Sequence, residues 1–245
     1  MDAAQLRQLA GPASSNAWRV VETQETAATA TITNNQAEQS RLEELLDTSK
    51  PGLPADLSHL SYLLFTPFRY PPLEYGSRFG SQFERGILYA ALELRVAFAE
   101  SAVYLWLFRS GPLEIGPLAV IRDQRSSYSV PVATQSGLQL AAQAFDDLRA
   151  QLTRRDDWNA SQAFGNTVRD AGIQALWYPS CRIDGDNVAV LDPAALGAAR
   201  EANLRPWHMV LDGERCWFGA QARDESFEFS FEQFAVNGVI PHPAL

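Results

Sequence analysis

Cysteine is nearly missing from this chain. Cys181 and Cys216 are the only two in 245 residues, too few for a disulfide framework and without the paired spacing of a zinc site, so both read as ordinary buried thiols. Histidine is as sparse: His59, His208 and His242 lie far apart, with no H-E-x-x-H pair, and no metal is expected. No apolar run approaches the roughly 20 residues that span a bilayer. Met1-Asp2-Ala3-Ala4-Gln5 has neither the basic nor the apolar region of a secretory signal, so a cytoplasmic protein without membrane contact is expected. A surplus of positive charge is absent too. The net charge of −9 argues against a nucleic-acid backbone as the principal ligand. All but Lys50 of the 20 basic residues are arginine, so one arginine marks function less sharply here than usual. The common phosphate loops, G-x-x-x-x-G-K-[ST] and G-x-G-x-x-G after a strand, do not occur. Gly76-Ser77-Arg78-Phe79-Gly80 has arginine where a nucleophile elbow needs serine, which disfavours a hydrolase of that type.

What is present is the composition of an ordinary globular protein, 46% apolar and 20% charged. After a Gly-Pro-Ser stretch (Gly11 to Ser15) and a polar Ala/Thr/Gln/Glu-rich segment comes a helix from Gln36 to Leu46, stopped by the breakers from Lys50 to Pro54. Residues 1–55 therefore read as a helical N-terminal extension ahead of a domain over 56–245. In that domain Tyr62 to Phe65 reads as a short strand, and Gly86 to Ala90 as another that leads into a long helix from Glu93 to Phe108. Strand character restarts at Gly116 to Ile121. Ser136 to Leu152 is amphipathic at helical spacing through Leu140, Ala144 and Leu148, and Ser161 to Ala171 is a shorter helix. Ala175 to Tyr178 and Val188 to Leu191 form a strand pair about a turn at Ile183 to Asn187. Phe227, Phe229 and Phe231 alternate with polar residues as in a half-buried strand. Strands and helices interleave without a βαβ rhythm, so the expected class is α+β.

Glu100 is the residue that chemistry singles out. Ala97-Phe98-Ala99 precede it and a run from Ala102 to Phe108 follows, so its helix is apolar on nearly every face. A carboxylate in that setting must be ion-paired or face a polar cleft. Arg78 sits in a glycine-flanked loop where backbone can approach a ligand, and its guanidinium suits a phosphate or carboxylate. Arg69-Tyr70 upstream has the same standing. Tyr89 lies at the corner between strand and helix, and Ser180 follows Trp177-Tyr178-Pro179 where the chain leaves the sheet.

Together these segments resemble the RES domain, the toxin half of bacterial RES–Xre toxin–antitoxin pairs. The resemblance rests on Gly76-Ser77-Arg78-Phe79, on Tyr89-Ala90-Ala91 through Ala97-Phe98-Ala99-Glu100, and on Tyr178-Pro179-Ser180-Cys181-Arg182 with Asn187-Val188 and Leu191-Asp192-Pro193 trailing. Arg78 to Tyr89 and Tyr89 to Glu100 are both steps of eleven residues. Val96 departs from the threonine that often opens the glutamate block. The resemblance implies a mixed-sheet core like that of ADP-ribosyltransferases and an enzyme that consumes NAD as substrate, with no metal. Glu100, Arg78 and Tyr89 would be catalytic, with Arg69, Tyr70 and Ser180 binding the dinucleotide. It implies cleavage of the nicotinamide–ribose bond by water or phosphate. Transfer of ADP-ribose to a protein is the alternative with the same site, and a non-catalytic interaction module is the third reading. An Xre-type helix-turn-helix antitoxin would cover the cleft, and a homo-oligomer is compatible with the same picture.

Overall fold

The computed structural model describes residues 1–23, 33–111, 116–222 and 224–243. Among them, eight strands join in one mixed sheet in the order β1-β2-β5-β4-β3-β6-β7-β8. The strands are β1 (Gly11–Glu22), β2 (Leu88–Ala91), β3 (Ile121–Gln139), β4 (Ala175–Pro179), β5 (Asp186–Val190), β6 (Ala202–Leu211), β7 (Arg215–Ala220) and β8 (Ser226–Ser230). Only β3 and β4 pair in parallel, over Gly137 to Gln139. A further pairing of β1 with β3, from Gly11↔Gly137 to Glu22↔Arg125, closes β1, β2, β5, β4 and β3 into a ring. Strands β6 to β8 extend from the first half of β3 as an open wing. The class is α+β, as composition and interleaving suggested.

One side of the ring is a core of Ala17, Tyr128, Val130, Val132, Trp177, Val188 and Val190. It is closed by helix α3 (Tyr62–Arg69) through Leu64 and Phe68. Trp177 reaches across it and donates from Nε1 to Ser15 Oγ at 2.9 Å. The other side carries helices in two groups. Helices α1 (Ala3–Leu9), α5 (Asp146–Leu152) and α6 (Asn159–Asp170) pack on Leu138, Leu176, Tyr178 and Ala189. Helix α4 (Leu94–Ser110) packs on the wing, where Phe98 meets Trp207 and Phe218 at centroid distances of 4.6 Å and Phe227 at 4.9 Å. Emptying the Phe98 site would cost about 3–5 kcal/mol, so this contact fixes where α4 lies. A cavity lies between α4 and the sheet.

Several expectations are corrected. The helical extension expected over residues 1–55 is interrupted, because Gly11–Glu22 is strand β1 in the ring. Helix α2 (Gln36–Ser49) forms as its periodicity indicates, and the polar stretch at 24–32 lies outside the described residues. Tyr62 to Phe65 is the first half of α3, not a strand. Its apolar run is short enough to fit either period, and burial of Leu64 and Phe68 on one face selects the helix. Ser136 to Leu152 is not a single helix: β3 continues to Gln139 and α5 starts at Asp146. Gly116–Ala119 is a short 3₁₀ turn, with strand β3 beginning at Ile121. Among the described residues no helix is long and apolar enough to cross a membrane.

Candidate active site

A cavity of about 720 Å³ runs between α4 and the sheet. Its floor is Trp18 of β1, Tyr89 of β2, Tyr178 of β4 and Asn187 of β5, and one wall is the α4 stripe Glu100, Tyr104 and Phe108. Helix α4 is not buried all round as its composition suggests. Tyr104 and Phe108 are exposed, because the stripe four residues apart that begins at Glu100 borders the cavity.

Glu100 is held by two neutral donors rather than by a guanidinium. Ser180 Oγ donates to Oε1 at 2.8 Å and Asn187 Nδ2 donates to the same oxygen at 2.9 Å. Ser180 Oγ in turn accepts from the Arg182 backbone N–H at 3.1 Å, which aims the hydroxyl proton at the carboxylate. Hairpin register makes this possible: Asn187 lies directly opposite Tyr178, so both strand ends deliver side chains to one point. Both bonds fall on Oε1. Among the described residues no donor is directed at Oε2, and the buried Asn187 Oδ1 has no partner. The carboxylate therefore keeps Oε2 for a ligand in the cavity.

Arg78 occupies a tight turn in which Ser77 N donates to Gly80 O at 2.7 Å. Gly76 enters that turn at φ +74°, a left-handed conformation glycine adopts without penalty. Helix α6 clamps the turn. Gln162 Nε2 donates to Tyr75 O and Ser77 O at 2.9 and 3.1 Å. Gly165 lies so near Phe79 that an added Cβ would stand 2.0 Å from its carbonyl oxygen. The guanidinium is buried. Nη1 donates to Leu152 O at 3.1 Å and Arg154 O at 2.8 Å, Nη2 donates to Cys181 Sγ at 2.9 Å, and the group lies 5.9 Å from the Trp158 ring. Arg78 therefore brings a fixed positive charge to the cavity wall more than a free fork.

Tyr89 bonds Ser77 Oγ at 2.9 Å and its oxygen accepts from Phe79 N at 3.0 Å, so it braces the Arg78 turn from the sheet. Burial pushes its phenol up, and burial followed by the Glu100 charge pushes Tyr178 well up, so both keep their protons at neutral pH. Burial also raises the Cys181 thiol, against the pull of Arg78. Beyond Arg78 the segment after β8 inserts His242 among Trp158, Tyr104 and Tyr75, at centroid distances of 4.9, 5.5 and 5.8 Å.

Of the residues picked from sequence, Arg78, Tyr89, Glu100 and Ser180 come together here. Arg69 and Tyr70 do not: they are absent from the cavity lining, the Arg69 guanidinium stacks on the Tyr70 ring at 5.8 Å, and its Nε donates to Pro51 O at 2.7 Å. Asn187, Cys181 and Arg182 stand out in the sequence only as members of the serine motif and its trailing residues, His242 only as one of three scattered histidines, and Trp158 not at all. Only Asn187 carried a usable signal, its place opposite Tyr178 across the hairpin. Among the described residues no group of three or more His, Cys, Asp or Glu could hold a metal ion.

A carboxylate oriented by a serine and an asparagine, beside a buried arginine on a mixed-sheet ring, is the arrangement of an enzyme-like cleft for a polar ligand. The chain belongs to the RES domain family, whose model matches residues 53–212. Among solved structures, the crystal structure of the M. tuberculosis MbcT-MbcA toxin-antitoxin complex is similar over 86% of this chain and 91% of that chain, at 14% identity and a TM-score of 0.49. No curated protein matches.

Proposed function

We propose that this protein is the toxin of a toxin–antitoxin pair and that it destroys NAD by breaking the bond between nicotinamide and ribose, with water or inorganic phosphate as acceptor. The observation that carries this reading is Glu100, fixed through Oε1 by Ser180 and Asn187 with Oε2 turned free. Breaking a glycosidic C–N bond generates an oxocarbenium-like state in which positive charge spreads over the ribose C1′ and ring oxygen. A carboxylate locked in position beforehand stabilises that charge without reorganising. Glu100 Oε2 is the acceptor the cavity offers to ribose hydroxyls. The buried Arg78 charge favours the anionic pyrophosphate at the same wall. Tyr89 and Tyr178, both protonated, supply ring surface and neutral donors. Water or phosphate then adds at C1′ as nicotinamide leaves, giving ADP-ribose or its 1″-phosphate.

The exposed rings of Tyr104 and Phe108 at the cavity mouth suit a protein partner laid across the cleft, and an Xre-type helix-turn-helix antitoxin is the partner we infer. The test is incubation of purified protein with NAD, with and without phosphate. Free ADP-ribose marks hydrolysis, a phosphorylated ADP-ribose marks phosphorolysis, and label retained on protein marks transfer instead. Wild-type protein should release nicotinamide and Glu100→Gln should lose at least about 100-fold in rate. NAD left equally intact by both proteins would end the enzymatic reading.

A further inference from the structure

The sheet closes on itself at one end and stays open at the other. Among the described residues β8 pairs with β7 alone and ends the wing. At the two ends of the β7–β8 ladder, Phe231 N donates to Glu214 O at 2.7 Å and Ala220 N donates to Glu225 O at 3.0 Å. Antiparallel bonding alternates along a strand, so Phe227 and Phe229 turn their backbone groups toward β7. Ser226, Glu228 and Ser230 therefore direct theirs away from the sheet. Gln233 Oε1 caps the Ser230 N–H at 3.0 Å, and the rest of this edge is a template for another strand. Such edges are ordinarily blunted by proline, lysine or a bulge. Strand β8 has none of these: its register with β7 is unbroken, and its single charge, Glu228, has Arg215 Nη1 3.9 Å from Oε2.

The order of residues along the edge identifies what pairs with it. Ser226-Phe227-Glu228-Phe229-Ser230 reads the same in both directions. A strand with that property is complementary to itself across a two-fold axis, where one surface must match its own copy. We propose that β8 is a dimer interface: a second copy of this chain adds its own β8 antiparallel, about an axis at Glu228, so that two wings form one continuous sheet. Ser226 then faces Ser230 of the second copy, Phe227 faces Phe229, and Glu228 faces its counterpart. The two Glu228 backbones exchange a pair of hydrogen bonds, and each Ser226 N–H donates to the Ser230 carbonyl opposite. Neither disturbs the Gln233 cap. Phe227, half-buried and stacked on Phe98 at 4.9 Å, gains an aromatic neighbour on the face that α4 covers. On the other face the two Glu228 carboxylates repel, and the two Arg215 guanidiniums bring that group of four to zero net charge. An interface of one strand buries little area, so the dimer is weak and depends on concentration. No residue of β8 lines the cavity, so the proposal is independent of the reaction.

Sedimentation velocity of the purified full chain, from about 1 to 300 µM, tests this. Wild type should pass from monomer to dimer as concentration rises. Glu228→Pro removes an N–H that the monomer's own ladder does not use, so it should stay monomeric with an unaltered melting profile. A pair of double variants reads the register independently of the proline. Ser226→Lys with Ser230→Lys sets like charges opposite each other twice across the axis, which should weaken association about tenfold. Ser226→Lys with Ser230→Glu sets opposite charges there and should restore it. Within one chain the two positions lie about 13 Å apart along the strand, so only pairing across the axis separates these two proteins. A wild type that stays monomeric throughout overturns the proposal and leaves the edge to a different chain. A dimer that survives Glu228→Pro overturns it as well, and so does a second double variant that associates no better than the first.

Discussion

Acid should loosen this protein through one ring. His242 is 5% exposed and is ringed by Trp158, Tyr104 and Tyr75. Burial first, then the positive charges of Arg182 and Arg78, hold its pKa down to about 4. In the unfolded chain an imidazole titrates near 6.5. Between those values the unfolded state binds a proton that the folded state refuses, so stability rises with pH across that window. The contribution is complete above about pH 6.5 and is lost as pH falls toward 4. A separation of this size is worth about 2–3 kcal/mol, or about 4–12 °C of melting temperature for a chain this long. The charges that face the ring include Arg78 and Arg182, which oppose a second positive charge. Thermal melts of wild type and His242→Phe at pH 7 and pH 4.5 isolate the effect, since the surface carboxylates act alike in both proteins. Wild type should lose several degrees more than His242→Phe. Equal losses would show that this histidine does not govern acid sensitivity.

Three further outcomes follow from the site and its supports. Asn187→Leu removes one of the two donors that fix Glu100, and the misplacement should lower the rate of nicotinamide release by about 100-fold with little change in melting temperature. Tyr89→Phe strips the Phe79 N–H and Ser77 of their partner, which should cost about 1–3 kcal/mol in urea unfolding. Gly165→Ala would set a methyl 2.0 Å from Phe79 O, so α6 must retreat from the Arg78 turn. Overpacking there should cost about 1–3 kcal/mol and depress activity as well; a variant with wild-type melting and turnover would contradict the close approach.

The parts of the fold that were legible in the sequence are those whose pattern is local. The helix α4, strand β2 and the β4–β5 hairpin each combine an apolar run with a turn or boundary signal. Strand β1 was not legible. Ser14, Ser15, Asn16 and Arg19 give it the composition of a loop, and its extended shape is set by pairing with β3 more than a hundred positions away. Strand β3 was obscured similarly by its serines, threonine and Pro131, which it tolerates because two edges of partners hold it. Glu100 was legible because a lone carboxylate in an apolar helix demands an explanation. Its positioning by Asn187 was not, since only the register of a hairpin brings them within reach. His242 had no local mark at all: one histidine near the end looks ordinary until burial is known.

The ring that closes through β1 and β3 has a kinetic consequence. Contacts between partners so distant in sequence form slowly, because the intervening chain must be ordered before they repay its entropy. The cavity draws its floor from Trp18 and from Asn187 alike, so no shorter nascent chain can possess it. Synthesis of the intervening residues takes roughly 8–35 s at common elongation rates. A ribosome that carries this chain therefore holds a polypeptide without this cavity until Asn187, of 245 residues, has emerged. If the finished molecule is a poison, its topology has built in a delay during which a protective partner can already be waiting.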